Sequence, residues 1–302
     1  MRYIITGASG AIGYSLLKEL DIQKNSVTVL VNPNSNRNKV FKIFPNVKII
    51  ECSLMNYSSL SINDKYDVYI HMAWQGGNDR KNILVNNASC MSSLDAVDMA
   101  QRLGCKLFIS TGSQAEYGYQ NQVLDEETIC KPDTPFGAAK LCSFHYTKLR
   151  CKELGIQHLW LRIGSVYGPF DRESTMLLSS IRTINSGKLP VFSEGIQYWD
   201  FLYSEDIAKA IIKLVQAECS GLYVIGEGLN LILKDYLKIL SEELKFDLLK
   251  SIGMSKLNKK HKINNLRINP SKIMKDASWS PSIDFRTGIE KLINYSINHD
   301  PI

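Results

Sequence analysis

Within the first thirteen residues, Met1-Arg2-Tyr3-Ile4-Ile5-Thr6-Gly7-Ala8-Ser9-Gly10-Ala11-Ile12-Gly13, a short apolar run enters a turn with a glycine at every third position. This spacing leaves no side chain where the backbone turns sharply (Gly7), where an anion comes close (Gly10), and where a following helix meets the preceding strand (Gly13). An anion held there meets unpaired backbone N–H groups and the positive end of a helix dipole, so its binding needs no cationic side chain. The chemistry indicated is the grip of a dinucleotide pyrophosphate, with Ser9, Ala11 and Ile12 in the same turn. The apolar run over 3–6 and the amphipathic stretch over 14–20 supply the strand and helix that such a turn requires.

A turn of this kind works only at the end of a sheet. Apolar runs recur at 3–6, 27–31, 47–50, 68–71, 107–110 and 159–163, separated by helix-length segments. That alternation predicts β-α-β units with right-handed crossovers, hence an α/β fold of the Rossmann type, a doubly wound parallel sheet with ligands at the carboxyl ends of its strands. After Pro169 the pattern loosens into a helix over 176–186, a turn at Gly187, a strand over 189–192 and a helix over 205–217. The expected organisation is a dinucleotide-binding domain over 1–168 and a smaller substrate-binding lobe over 169–302, part of which returns to the main sheet.

Bulk properties narrow the class. With 302 residues, 44% hydrophobic and 22% charged, the chain can bury a large core and has no disordered character. The net charge of +6 comes partly from Lys250, Lys256, Lys259, Lys260 and Lys262, read as a solvated loop rather than a nucleic-acid or membrane contact. No apolar run reaches the length of a membrane span, and Met1 enters a strand directly, so neither membrane nor export is expected and the location is read as cytoplasmic. The seven cysteines form no CxxC pair and no ligand cluster, which predicts reduced thiols and no metal.

Further segments carry a resemblance. Beyond Thr6–Gly13 they are His71-Met72-Ala73, Asn87, Ser110-Thr111-Gly112-Ser113 ahead of Tyr117-Gly118, and Pro135-Phe136-Gly137-Ala138-Ala139-Lys140. Leu161-Arg162 with Val166-Tyr167-Gly168-Pro169, Trp199-Asp200-Phe201-Leu202-Tyr203 with Asp206, and Ser278-Trp279-Ser280-Pro281 follow. Over nearly its whole length the chain resembles the extended short-chain dehydrogenase/reductases, specifically the NAD-dependent epimerase/dehydratase group that modifies nucleotide-activated sugars. The resemblance implies hydride transfer at a carbinol carbon, with a tyrosine as acid/base and a lysine four residues later that lowers the phenol's pKa and binds the nicotinamide ribose. It assigns Lys140 as that lysine, Ser113 as the hydroxyl that hydrogen-bonds the substrate oxygen, and Asn87 as a supporting helix residue. It also implies a homodimer.

The tyrosine is absent. Phe136 stands in its place and has no ionisable oxygen; a deliberate tyrosine-to-phenylalanine replacement and a natural loss of activity both account for it, and the former is favoured because one oxygen changes little else. Tyr117 and Tyr146 are expected to pack rather than substitute. Sugar 4,6-dehydratases of the family carry Asp-Glu directly after the serine or threonine; Gln114 and Ala115 cannot titrate, so a dehydratase is not expected, and Glu116 is expected to point elsewhere. At the end of the second strand, where an NAD site carries an acid for the ribose 2′-OH, Asn32 is followed by Ser35 and Arg37, which predicts NADP with NAD as the alternative. Ser53 and Leu54 are expected near the adenine, Met72 and Ala73 along the pyrophosphate and ribose, and Ile163 on the coenzyme. Trp74, Gln114, Ser165 and Trp199 are expected on the nucleotide-sugar substrate. Because many relatives carry arginine where Trp199 stands, Lys188 or Arg267 is expected to meet the substrate phosphates. The expected activity is NADPH-dependent reduction of a keto group, at C4 of a nucleotide-linked 4-keto-6-deoxy sugar. The alternatives are a 4-epimerase that retains NAD and a silent protein that binds nucleotide sugar or NADP.

Overall fold

The structure is a computed structural model that describes residues 1–22, 24–75, 79–255 and 265–299. Lys256, Lys259, Lys260 and Lys262 of the basic run lie outside the described residues. In chain order the strands are β1 (Arg2–Thr6), β2 (Ser26–Val31), β3 (Lys48–Glu51), β4 (Val68–His71), β5 (Leu107–Ser113), β6 (Gln157–Ile163), β7 (Ser165–Tyr167), β8 (Tyr198–Trp199), β9 (Phe201–Tyr203), β10 (Gly221–Ile225) and β11 (Leu231–Ile232). The helices are α1 (Ala11–Ile22), α2 (Ile83–Arg102), α3 (Pro135–Leu154), α4 (Met176–Asn185), α5 (Ser204–Gln216), α6 (Leu233–Leu244), α7 (Ser271–Ala277) and α8 (Phe285–Asn298).

Seven parallel strands form one sheet in the order β10-β6-β5-β4-β1-β2-β3, the Rossmann-type arrangement expected. The chain runs outward from β1 through β2 and β3, then returns to β4 on the other side of β1. The crevice at the carboxyl ends of β1 and β4 is therefore the topological switch point, where ligands bind in open α/β sheets. Successive residues of β1 bury into different layers. Ile5 packs with Leu16, Leu17, Ile207 and Ile211 on the α1–α5 side, and Ile4 with Tyr69, Val97, Ala100 and Phe108 on the α2 side. Burial on both faces is why these strands read as continuous apolar runs.

The seventh strand, β10 (221–225), pairs with β6 at the edge of the main sheet. Two further small sheets pair β7 with β9 and β8 with β11, while α5 packs with α1 on the main sheet. The strand expected over 189–192 is not formed. Pro190 has no N–H to give a ladder, and the Phe192 N–H bonds instead to the Ser251 carbonyl. Asp206, fully buried near the start of α5, accepts from the N–H groups of Ser282 (3.0 Å) and Ile283 (2.9 Å), while the Trp279 indole donates to its carbonyl. Two of the late motifs thus hold the C-terminal segment to the sheet rather than meeting a ligand. Among the described residues no helix is long and apolar enough to cross a membrane.

Candidate active site

Gly7 takes φ +74°, and a Cβ there would lie 2.6 Å from the Ala73 nitrogen, so the turn after β1 closes against the loop after β4 only with glycine. The Thr6 hydroxyl fixes the same contact by accepting from the Ala73 N–H (3.2 Å). A Cβ at Gly13 would sit 2.4 Å from the Ala8 Cα, so α1 approaches the turn only without a side chain. Gly10 differs: its Cβ would meet nothing nearer than the Gly7 carbonyl at 3.9 Å. Protein packing does not require glycine at position 10, whereas a pyrophosphate against the N-terminus of α1 does. The residues present therefore fit a dinucleotide.

Three hollows meet here. A side pocket of about 260 Å³ beside the ends of β2 and β3 is lined by Asn32, Ser35, Ser53 and Leu54 together with Ala73 and Trp74. A central cleft of about 450 Å³ is lined by the glycine turn from Gly7 to Gly13, Ser9 and Ile12 included, and by Met72, Ile163, Ser113, Phe136 and Lys140. An outer cavity of about 740 Å³ is lined by Gln114, Ser165 and Trp199 and again by Ser113. Central cleft and outer cavity share Ser113, Arg80, Asp171 and Arg172, so whatever fills one touches whatever fills the other.

The polar wall at that junction comes from β5 and α3. Ser113 ends β5 and caps the tight turn over 114–116: its hydroxyl accepts from the Ala115 N–H (3.2 Å), and its own N–H donates to the Glu116 carboxylate (2.8 Å). Glu116 is fully buried and holds Arg162 (2.7 Å) and the Trp160 indole (3.2 Å), so it points away from the cleft, as expected. Thr134 caps α3 with Pro135 in its first turn, and one helical turn separates Phe136 from Lys140, which puts both on the cleft side. The buried Lys140 ammonium donates to the Thr111 carbonyl (2.7 Å) and lies over the face of the Trp74 ring, 3.9 Å from its centroid. Burial, with the like charge of Arg80, lowers its pKa to about 7 against the pull of Glu116.

Phe136 has an aromatic edge on one side and a cation on the other. Trp74 meets it edge-on, with centroids 5.9 Å apart at 86°, and the Arg80 guanidinium lies 4.6 Å from its centroid. Neither alternative tyrosine reaches the site. Tyr117 is fully buried and donates to the Asp125 carbonyl (2.6 Å), while Tyr146 is exposed on α3.

Four expectations are corrected by these positions. Asn87 is exposed on α2 and lines a separate surface depression with Cys90 and Cys142. The buried neighbour Asn86 faces the site, accepting from the Trp74 indole (2.9 Å) and donating to the Asn82 carbonyl (2.7 Å). One residue along a helix turns the side chain by about 100°, which decides between the two. Arg37 does not face the side pocket with Ser35; its guanidinium reaches across the cleft to the carbonyls of Phe170 and Asp171. Lys188 is exposed and Arg267 donates to the Asn121 carbonyl; neither lines the outer cavity, whose cations are Arg80, Lys81 and Arg172. Sequence reasoning passed over these three, although Arg80 and Lys81 closely follow β4, at the ligand-binding end of the sheet, which is the signal that could have found them.

A match to the NAD dependent epimerase/dehydratase family spans residues 3–226. The chain is similar to the CDP-abequose synthase of Salmonella typhimurium, 23% identical over 96% of each chain. Its fold is that of the UDP-N-acetylglucosamine 4-epimerase of Methanobrevibacter ruminantium M1, solved with UDP-N-acetylmuramic acid (TM-score 0.87, 24% identity, 98% of each chain). It is likewise that of the UDP-glucuronic acid 4-epimerase of Bacillus cereus, solved with UDP-glucuronic acid and NAD (TM-score 0.85, 20% identity, 99% of each chain). With its glycine turn at the switch point and a family match over most of its length, this chain belongs to the NAD dependent epimerase/dehydratase family.

Proposed function

We propose that this chain binds NAD and a nucleotide-linked sugar, and that its chemistry is oxidoreduction at C4 of the sugar, of the 4-epimerase kind. One observation carries this reading: the cleft that fits a dinucleotide and the outer cavity open onto each other at Ser113, the contact that hydride transfer demands. When bound, the dinucleotide supplies the hydride acceptor and donor. Gly7, Ser9, Gly10, Ala11, Ile12 and Gly13 would hold its pyrophosphate, Asn32, Ser35, Ser53 and Leu54 its adenosine end, and Met72, Ala73, Ile163 and Lys140 the remainder. Ser113 would hydrogen-bond the sugar's C4 oxygen, with Gln114, Ser165, Trp74 and Trp199 around the sugar nucleotide.

The choice of NAD over NADP follows from Arg37. With its guanidinium on the far side of the cleft, the residues lining the side pocket include no Lys or Arg to meet a 2′-phosphate. The ground for a consumed NADPH, and with it the preference for a ketoreductase, weakens accordingly. Ketoreduction stays the second reading because Asn32, unlike an acid, does not repel a phosphate. Phe136 has no proton to give, so turnover in this chain lacks the family's acid. Trp74 and Phe136 both depart from the family pattern and touch each other, which favours natural change over a single deliberate replacement. Ile83, Leu84 and Met91 on α2 and Tyr146 and Leu149 on α3 are exposed, which supports homodimer pairing through these helices.

The test is calorimetric binding of NAD and NADP to the purified chain, followed by NMR of sugar-nucleotide panels with the wild type and Phe136→Tyr. We expect NAD to bind, and Phe136→Tyr to interconvert C4 epimers at least 100-fold faster than wild type with no net change in NADH absorbance, the scale of a general acid. Net NADPH consumption would favour the ketoreductase. Binding of neither dinucleotide would refute the proposal.

A further inference from the structure

We infer that Arg37 clamps the coenzyme's pyrophosphate: its guanidinium crosses the central cleft from the segment after β2 to the loop after β7 and shuts a bound dinucleotide in against the glycine turn. The inference rests on the dinucleotide reading above and adds the side chain that holds and releases the coenzyme. Arg37 stands on the 3₁₀ segment Asn36–Ile43, whose Asn38 lines the side pocket, as does Ser35 just before it. Of that segment only Arg37 lines the central cleft, together with the glycine turn and with Phe170, Asp171 and Arg172. Side pocket and central cleft share Gly7, Ser9, Ala73 and Trp74, so a dinucleotide that fills both runs along the glycine turn and meets the N-terminus of α1 with its pyrophosphate. The loop that receives Arg37 is held to that same helix, since the Phe170 ring packs on Tyr14 of α1 with centroids 4.5 Å apart.

The guanidinium has bonding capacity left for an anion. Its Nη2 donates to the carbonyls of Phe170 and Asp171, the latter at 3.4 Å, and these acceptors carry only partial charge. Its Nε N–H is buried and has no partner, which is costly for a donor and is relieved by an acceptor that enters the cleft. Phosphate oxygens match a guanidinium fork in both charge and direction. Asp171 is attracted by Arg37 and Arg172, yet its carboxylate accepts from the Arg172 backbone N–H (2.7 Å) and burial still raises its pKa. Around the cleft Arg37, Arg80, Lys140 and Arg172 stand against this one acid among the described lining residues, a balance that suits an anionic pyrophosphate. Phe170 takes φ +60°, a left-handed conformation unfavourable for a bulky side chain, and its ring contacts with Tyr14 and Tyr295 keep it there. With the receiving loop so anchored, opening of the clamp falls to the Arg37 side chain.

The experiment measures NADH release from the full chain by stopped-flow fluorescence, with excess NAD as displacer, and adenosine affinity by ligand-observed NMR. Arg37→Met is expected to release NADH about ten-fold faster than wild type, the scale of one charge-assisted hydrogen bond. Adenosine, which has no pyrophosphate, should bind Arg37→Met within two-fold of wild type; thermal melting verifies the fold. Should Arg37→Met not fold, Arg37→Lys tests the same point, because an ammonium lacks the fork that spans two carbonyls and a phosphate, and release should be at least three-fold faster. Release less than three-fold faster overturns this inference and leaves the C4 reading standing. So does an equal loss of NADH and adenosine, which would assign Arg37 to the shape of the side pocket, and so does tighter NADH binding by the variant, which would put the guanidinium in space the coenzyme needs. Wild type that binds neither NADH nor NADPH removes the dinucleotide reading and this inference with it.

Discussion

Lys140 holds its proton less tightly in the folded chain, at about 7, than an unfolded lysine does at about 10.5, because its ammonium is buried between Trp74 and the Thr111 carbonyl with Arg80 nearby. Between those two pH values the unfolded chain carries the extra proton. The folded state therefore gains stability as pH rises through that window and loses it as pH falls toward 7. The whole difference corresponds to roughly 5 kcal/mol, of which roughly 2–3 kcal/mol falls between pH 7.5 and 9.5. Lys140→Met keeps the length of the stem and removes the titration. It also removes the hydrogen bond to the Thr111 carbonyl, which from the neutral amine is worth about 0.5–1.5 kcal/mol and sets the height of the curve rather than its slope. Urea denaturation of coenzyme-free protein, followed by tryptophan fluorescence at pH 7.5, 8.5 and 9.5, should show wild type climbing relative to Lys140→Met by that 2–3 kcal/mol. Glu116, Arg80 and Cys90, the other charged or titratable groups acting on Lys140, are common to both proteins and cancel in the comparison. Parallel curves across the range would show that the ammonium is solvated in the fold and that a neutral-range lysine beside position 136 is wrong.

The glycines of the turn should separate by role. Gly10→Ala leaves stability within about 0.5 kcal/mol yet weakens NAD at least ten-fold, whereas Gly13→Ala, whose Cβ would meet the Ala8 Cα at 2.4 Å, costs about 1–3 kcal/mol even without ligand; melting with and without NAD distinguishes them, and a destabilised Gly10→Ala would contradict the ligand-based account. Asn86→Ala is expected to lose about 1–3 kcal/mol by leaving the Trp74 indole N–H without its acceptor, while Asn87→Ala stays within about 0.5 kcal/mol in the same denaturation assay. Glu116→Ala leaves Arg162 buried without its counter-ion and should cost about 3–5 kcal/mol, with Glu116→Gln far milder; a folded, fully stable Glu116→Ala would mean that the pair is not buried as described.

The sequence alone specified the glycine turn, the places of the first six strands along the chain and the one-turn spacing of Phe136 and Lys140, because each depends on neighbours within a few residues along the chain. It also identified the missing phenol and the absent dehydratase pair, since those are matters of residue type at a fixed place. It did not anticipate the seventh strand at 221–225, a five-residue run whose partner, β6, lies almost sixty residues earlier. Nor could it say that Asn86 rather than Asn87 faces inward, because the choice depends on the rotation of α2 against Trp74. The target of Arg37 and the placement of Arg80 were likewise decided by tertiary structure: a long side chain reaches in any direction its neighbours allow. Only the folded chain brings the loops after β2, β4 and β7 to one cleft, and that convergence determines where each cation finds a partner and where Arg80 is left facing the cavity.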